Sequence, residues 1–242
     1  LVRDHGDDLD IPFLKERTSA PYLIAPNDFY LRHPESRKPL IWDLKTNAAV
    51  PFDTPGADPA LEGRYVVDGV EVGADDEIWT HTAVEASTAH TTLIEHVADY
   101  TPEWAGAICD VDPASIRRIA EEFLAHAHIG ETIEIDGRTL PYRPVSIVLG
   151  KTVNNGWGGF DCCWARTLLS CLVGALEVPG GTLGTTVRLN RPAGSRHLSV
   201  TPGEDGFMSY PMNPTEKDTW QREPQARSAY DTLVPLAANS PW

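Results

Sequence analysis

Positive charge is what this sequence has least of: 20 Lys and Arg stand against 35 Asp and Glu in 242 residues, a formal charge of -15. A sequence-independent grip on nucleic acid or on an anionic bilayer needs a positive surface field, so the charge argues against both. Long apolar runs are missing too. The greasiest stretch, Cys162 to Leu176, is interrupted by Arg166, Thr167, Ser170 and Gly174, and falls short of the roughly 20 apolar residues that span a bilayer. The four cysteines, Cys109, Cys162, Cys163 and Cys171, form no CxxC pair. Adjacent cysteines diverge on a helix, so this segment offers no zinc or iron–sulfur ligand set, and buried free thiols are expected. Walker spacing, a well-placed GxGxxG, a nucleophile elbow and a framed carboxylate pair are all lacking. No catalytic residue and no metal ligand is therefore assigned.

Loop chemistry is plentiful instead. Gly 19 and Pro 20 accompany 41% hydrophobic residues, a composition for a packed core with many loops. Leu1 to Asp10 has neither an initiator Met nor a signal-peptide pattern, and Leu233 to Trp242 is an apolar stretch broken by proline. The chain is expected to be a fragment of something longer.

Four regions follow from the patterning: residues 1–21 as the start of a truncated α/β domain, 22–90 as a β-rich, loop-heavy insertion, 91–185 as an α/β cofactor-binding portion, and 186–242 as a loop-rich segment. Between Tyr22 and Gly73 short apolar runs (YLIAP, YLRH, LIWD, AVPF, RYVVDGVEV) alternate with Pro, Asp, Asn and Gly. Asp68-Gly69, between Val66-Val67 and Val70-Glu71-Val72, predicts a hairpin. Thr101-Pro102-Glu103 and Asp112-Pro113 predict two helix starts. The second helix carries Ile116, Ile119, Ala120, Phe123 and Leu124 on one stripe, with Arg117, Arg118, Glu121 and Glu122 opposite. Another hairpin is expected at Asp136-Gly137. Val145 to Leu149 (VSIVL) reads as a parallel strand buried on both faces. A glycine-rich loop from Gly150 to Asp161 and an apolar helix follow it, ended by Pro179-Gly180-Gly181. This strand, loop and helix order predicts an α/β fold with a partial Rossmann-like parallel sheet, flanking helices and the β-rich insertion.

The Gly150 loop carries the chemistry of an anion cradle. Gly150, Gly156, Gly158 and Gly159 allow close backbone approach, Lys151 offers a charge, and Asn154 and Asn155 can read a base or pterin edge. The bland alternative is a tight strand-to-helix turn. Arg188, Arg191, Arg196 and His197 could meet a phosphate, but a surface loop pairing with the many acids is the favoured reading. His126 and His128 suit a helix C-terminus and lack a third metal ligand.

Three stretches, LDIPFLKERTSAPYLI, YTPEWAGAICDVDPASIRRIAEEFLAHA and SIVLGKTVNNGWGGFDCCWARTLLSCLVGALEVPGGTLG, together resemble the large catalytic subunit of molybdopterin oxidoreductases of the dimethyl sulfoxide reductase family. TLGTTVRLNRP and FMSYPMNPTEKDTW add a likeness to phenylacetyl-CoA:acceptor oxidoreductase and to thiosulfate or tetrathionate reductase-like members. The resemblance covers roughly residues 8–200. It implies a bis-molybdopterin guanine dinucleotide cofactor with molybdenum or tungsten, contacted by Gly150, Lys151, Thr152, Asn154, Asn155 and Gly156. It also implies a 4Fe-4S cluster upstream and, as partners, both an iron–sulfur electron-transfer subunit and a membrane anchor subunit, in a periplasmic or membrane-associated setting. The family's cluster cysteines, metal-ligating residue and C-terminal barrel have no counterpart here, so the isolated chain is expected to have no turnover. Two other readings stand beside this one: a non-catalytic acidic interaction domain, and a nicotinamide or flavin dehydrogenase domain.

Overall fold

The computed structural model describes residues 1–74, 77–81, 83–148, 158–182, 201–202 and 208–209. Helices and strands are mixed along the chain, an α/β content, and they fall into two units: residues 1–21 with 89–189, and residues 22–88 with 190–242.

In the first unit the helix starts follow their local chemistry. Asp10 accepts a hydrogen bond from the Phe13 amide and caps α1 (Ile11–Arg17). After α2 (Ala89–His96), Thr101 caps α3 (Pro102–Cys109) through the Trp104 amide, and Asp112 caps α4 (Pro113–Ala125) through the Ala114 amide. Both of the later caps place proline in the first turn, where its missing N–H costs nothing. The predicted stripe of α4 is at most half-buried. Phe123 and Leu124 pack on Ala127, Val145, Val173 and Ala175, whereas Ile119 is 57% exposed.

β9 (Thr132–Ile135) and β10 (Arg138–Pro141) form the expected hairpin, with Asp136 and Gly137 both at positive φ (51° and 73°). That is the primed turn whose twist matches the strands. His128 also serves structure: its ring Nδ1 lies 2.8 Å from Glu131, and its carbonyl accepts from Arg143. His126 is exposed at the C-cap of α4.

Three expectations need correction here. Residues 145–148 make no ladder, and burial alternates from Val145 (buried) to Val148 (84% exposed). The stretch is extended chain covered on one side. Among the described residues every ladder is antiparallel, and Leu176 opposite Thr182 is an isolated parallel bridge, so the Rossmann-like parallel sheet is not seen there. The apolar helix, α5 (Gly159–Leu172), stops earlier than expected, because Gly174 turns the chain at φ 65° ahead of Pro179. The thiols are free but not buried: Cys109 and Cys162 are exposed, Cys163 and Cys171 half-buried. Helix phase decides this, and α5 turns its first cysteine to solvent.

The second unit is antiparallel. β1 (Leu23–Ile24), β8 (Val84–Thr88) and β5 (Arg64–Val67) form one sheet in that order, and β2 (Leu31–Arg32), β6 (Val70–Ala74) and β7 (Glu77–His81) another. β3 (Leu40–Asp43) pairs with β4 (Ala48–Pro51), and β11 (Thr201–Pro202) with β12 (Met208–Ser209). The core gathers Leu23, Leu31, Leu40, Val67, Val70 and Ala86, with Trp42 stacked on Tyr65 at 4.4 Å.

The Asp68-Gly69 hairpin is also corrected. Val67 lies opposite Val84, Val70 opposite His81 and Ala74 opposite Glu77, one uninterrupted register. Residues 64–67 and 70–74 thus run antiparallel to 84–87 and 77–81 in that one register, and Gly69 (φ 63°) bends the first arm instead of reversing it. The bend passes the ladder from one sheet to the other.

Asp43 ends β3 as a hub. Its carboxylate accepts from the Asp58 amide (2.8 Å), the Thr46 hydroxyl (2.8 Å) and the Lys45 and Thr46 amides, and these donors, the Asp58 amide first, hold its pKa down at about 2. An unfolded Asp titrates near about 3.9. Because the folded value is the lower one, this contribution to stability is complete above about pH 4 and lost as pH falls toward about 2. Urea melts across that window are expected to show falling stability, and Asp43→Asn to flatten the fall. An identical acid slope in the variant would refute the assignment.

Candidate functional site

The six residues singled out as cofactor contacts, Gly150, Lys151, Thr152, Asn154, Asn155 and Gly156, lie outside the described residues, as do Arg188, Arg191, Arg196 and His197. What the structure describes is the frame on either side of the loop, and that frame is built in detail.

On the incoming side the extended stretch 145–148 is held by side chains in place of a neighbouring strand. The Ile147 amide donates to Thr182 Oγ1 (3.1 Å), and the Ile147 carbonyl accepts from Arg166 Nε (2.8 Å). Ser170 completes the clamp: its hydroxyl donates to the Arg166 carbonyl and is hydrogen-bonded to the Thr182 hydroxyl, both at 3.1 Å. Arg166, Ser170 and Thr182 are all buried. Two of them stand on α5, the helix that leaves the loop, so the chain before the loop is tied to the chain after it.

One step upstream, Arg143 is buried against Asp10. Its Nη2 and Nε reach Asp10 Oδ2 at 2.8 and 3.2 Å, and its Nη1 donates to the carbonyls of His128, Glu131 and Tyr142. A carboxylate removed from water needs such a partner. Sequence reasoning missed both buried arginines. Arg166 reads there only as a break in an apolar run, yet a cation inside an apolar helix is a usable signal that a buried acceptor waits for it.

On the outgoing side Gly158 occupies the N-cap of α5 at φ 75°, and among the described residues no side chain caps the first-turn amides and no atom lies within 4 Å of where a Cβ would stand. Those amides carry the positive end of the helix dipole. Asp161, exposed in the same turn, faces the same field. The Cys171 thiol further along is pushed up by burial, which keeps it protonated and unreactive. Among the described residues no group of three or more His, Cys, Asp or Glu side chains converges on a metal position, and no helix is long and apolar enough to cross a membrane.

The second unit holds an open cavity of about 340 Å³ lined by His33, Glu35, Leu40, Val67 and Asp68 among others. His33 Nδ1 there receives the Ser36 amide at 3.2 Å and closes a local turn. Its imidazole is engaged in that turn, so nothing marks it as a base.

No protein-family model matches the chain. Over 153 residues, 59% of its length, the chain is 29% identical to one subunit of the sulfite dehydrogenase of Allochromatium vinosum, and the match spans 14% of that protein. The chain is thus similar to a small part of an oxidoreductase subunit.

Proposed function

We propose that this chain is part of the catalytic subunit of a molybdenum-dependent oxidoreductase and helps to hold a molybdopterin guanine dinucleotide. The similarity to a sulfite dehydrogenase subunit carries the reading, in the direction of the family resemblance of the three sequence stretches. When bound, such a cofactor supplies two-electron oxidation or reduction, or oxygen-atom transfer, with electrons passed on to iron–sulfur partners.

The chain's own residues bind and orient. Gly150 and Gly156 bring backbone amides close to a phosphate, Lys151 offsets its charge, Thr152 adds a hydroxyl, and Asn154 and Asn155 meet the edge of a guanine or pterin. The described frame fits an anionic group: the uncapped amides after Gly158 supply donors, and the absence of a Cβ there leaves room. Arg166, Ser170 and Thr182 tie the chain before the loop to the chain after it, which holds the two flanks in place for a ligand.

Purified full-length polypeptide is expected to release molybdenum and guanine nucleotide on acid treatment. Losing two amide hydrogen bonds in Asn154→Ala/Asn155→Ala removes about 1 kcal/mol each, or roughly tenfold or more in retained cofactor, with an unchanged unfolding transition. A flavin or nicotinamide spectrum would move the assignment to a dehydrogenase of that type. A preparation with no cofactor at all would leave the interaction-domain reading.

A further inference from the structure

Helix α3 is built inside out. Its tightly packed side is Gly106, where a Cβ would sit 2.5 Å from the Val111 carbonyl and 3.1 Å from Pro113. Its large residues point the other way: Trp104 is 49% exposed and Ile108, one turn on, 64%. Surface helices ordinarily turn such side chains inward. The exposed side continues as a stripe, since the Tyr100 ring stands edge-on to Trp104 at 4.9 Å and 5.5 Å from His96. Tyr100 is itself half exposed.

The surroundings are acidic. Residues 65–116 contain no Lys or Arg, and the acids interleaved in sequence with the stripe, Glu95, Asp99, Glu103, Asp110 and Asp112, are all exposed. Among the described residues, Arg117 and Arg3 act on Glu103 from other elements, and both face carboxylates: Arg117 meets Glu103 at 2.6 Å, and Arg3 meets Asp4 at 2.8 Å. Aromatic residues in a solvent-facing row are the usual energetic centre of an interface, and the charges around them select the partner and speed its approach. A second copy would set acidic rim against acidic rim in a chain of formal charge -15, and nucleic acid or an anionic bilayer would be repelled in the same way.

We propose that His96, Tyr100, Trp104 and Ile108 form a docking surface for a protein partner whose contact face is apolar at its centre and ringed by Lys and Arg. The test uses the full-length polypeptide and two synthetic amphipathic helical peptides, one of Leu and Lys, one of Leu and Glu, with binding followed by fluorescence anisotropy at two salt concentrations. The Lys peptide is expected to bind, more weakly at high salt, and Trp104→Ser to weaken it by roughly tenfold or more, as for an interface anchor. Asp99→Lys/Asp110→Asn tests the rim without touching the stripe, because Asn tolerates the left-handed backbone at position 110 (φ 55°); it too is expected to weaken binding, with an unchanged circular dichroism spectrum. Three results would each overturn the proposal. These are equal binding of the Glu peptide, a Trp104→Cys thiol that a maleimide cannot reach because other parts of the polypeptide cover the face, and self-association abolished by Trp104→Ser.

Discussion

Replacing Arg143 with alanine is expected to lower the unfolding free energy by about 3–5 kcal/mol, the range for breaking a buried ion pair from one side. The size follows from what is left behind. Asp10 stays buried with its carboxylate facing no cation, and the carbonyls of His128, Glu131 and Tyr142 lose the donor that Nη1 supplies. Arg143→Lys is expected to recover only part of the loss, because an ammonium cannot spread its donors over Asp10 and three carbonyls as a planar guanidinium does. Asp10→Asn/Arg143→Met should cost less than Arg143→Ala, since no charge is stranded and Asn still caps α1. Urea denaturation of the three variants decides the matter. A loss below about 1 kcal/mol in Arg143→Ala would place this pair with weak surface bridges.

The contrast between local and distant partners also explains what the sequence disclosed. Thr101-Pro102 and Asp112-Pro113 announce helices because a cap reaches its amide two or three residues away, inside the reading window. Asp136-Gly137 announces a hairpin for the same reason: both residues hold positive φ on their own account. Asp68-Gly69 has the same chemistry and a different outcome. Its flanking residues are claimed by Val84 and His81 on the returning arm, and a dipeptide says nothing about that register.

The loop frame was legible only in outline. VSIVL has the composition of a core strand, but a short apolar run does not reveal whether a neighbouring strand exists to accept its hydrogen bonds. Here the acceptor and donor for Ile147 are Thr182 and Arg166, residues 35 and 19 positions away. The six loop residues read as cofactor contacts lie outside the described residues, so their chemistry is argued from residue types alone. The frame of the loop required the fold, because Ser170 and Thr182 become a clamp only once α5 has turned back at Gly174.

That turn carries the second large effect. Gly174 sits at φ 65°, and a Cβ added there would lie 2.3 Å from Asp10 Oδ2 and 3.0 Å from its carboxyl carbon. Left-handed backbone costs an alanine roughly 1–2 kcal/mol by itself. The contact adds more, because the carboxylate cannot swing aside without leaving Arg143, so Gly174→Ala is expected to lose about 3–5 kcal/mol in all. Gly130→Ala is the internal control. It has a similar backbone (φ 88°) with no atom of the described residues within 4 Å of the new Cβ, and should show the backbone penalty alone. In an Asp10→Ser/Arg143→Met background the obstructing carboxylate is gone while a capping hydroxyl remains. The cost of Gly174→Ala should shrink there toward that of Gly130→Ala, a non-additivity expected of groups in contact. Equal losses for Gly174→Ala and Gly130→Ala in the unmodified chain would show that the Asp10 carboxylate yields, and that the start of α1 and the end of α5 are held together less rigidly than the buried pair demands.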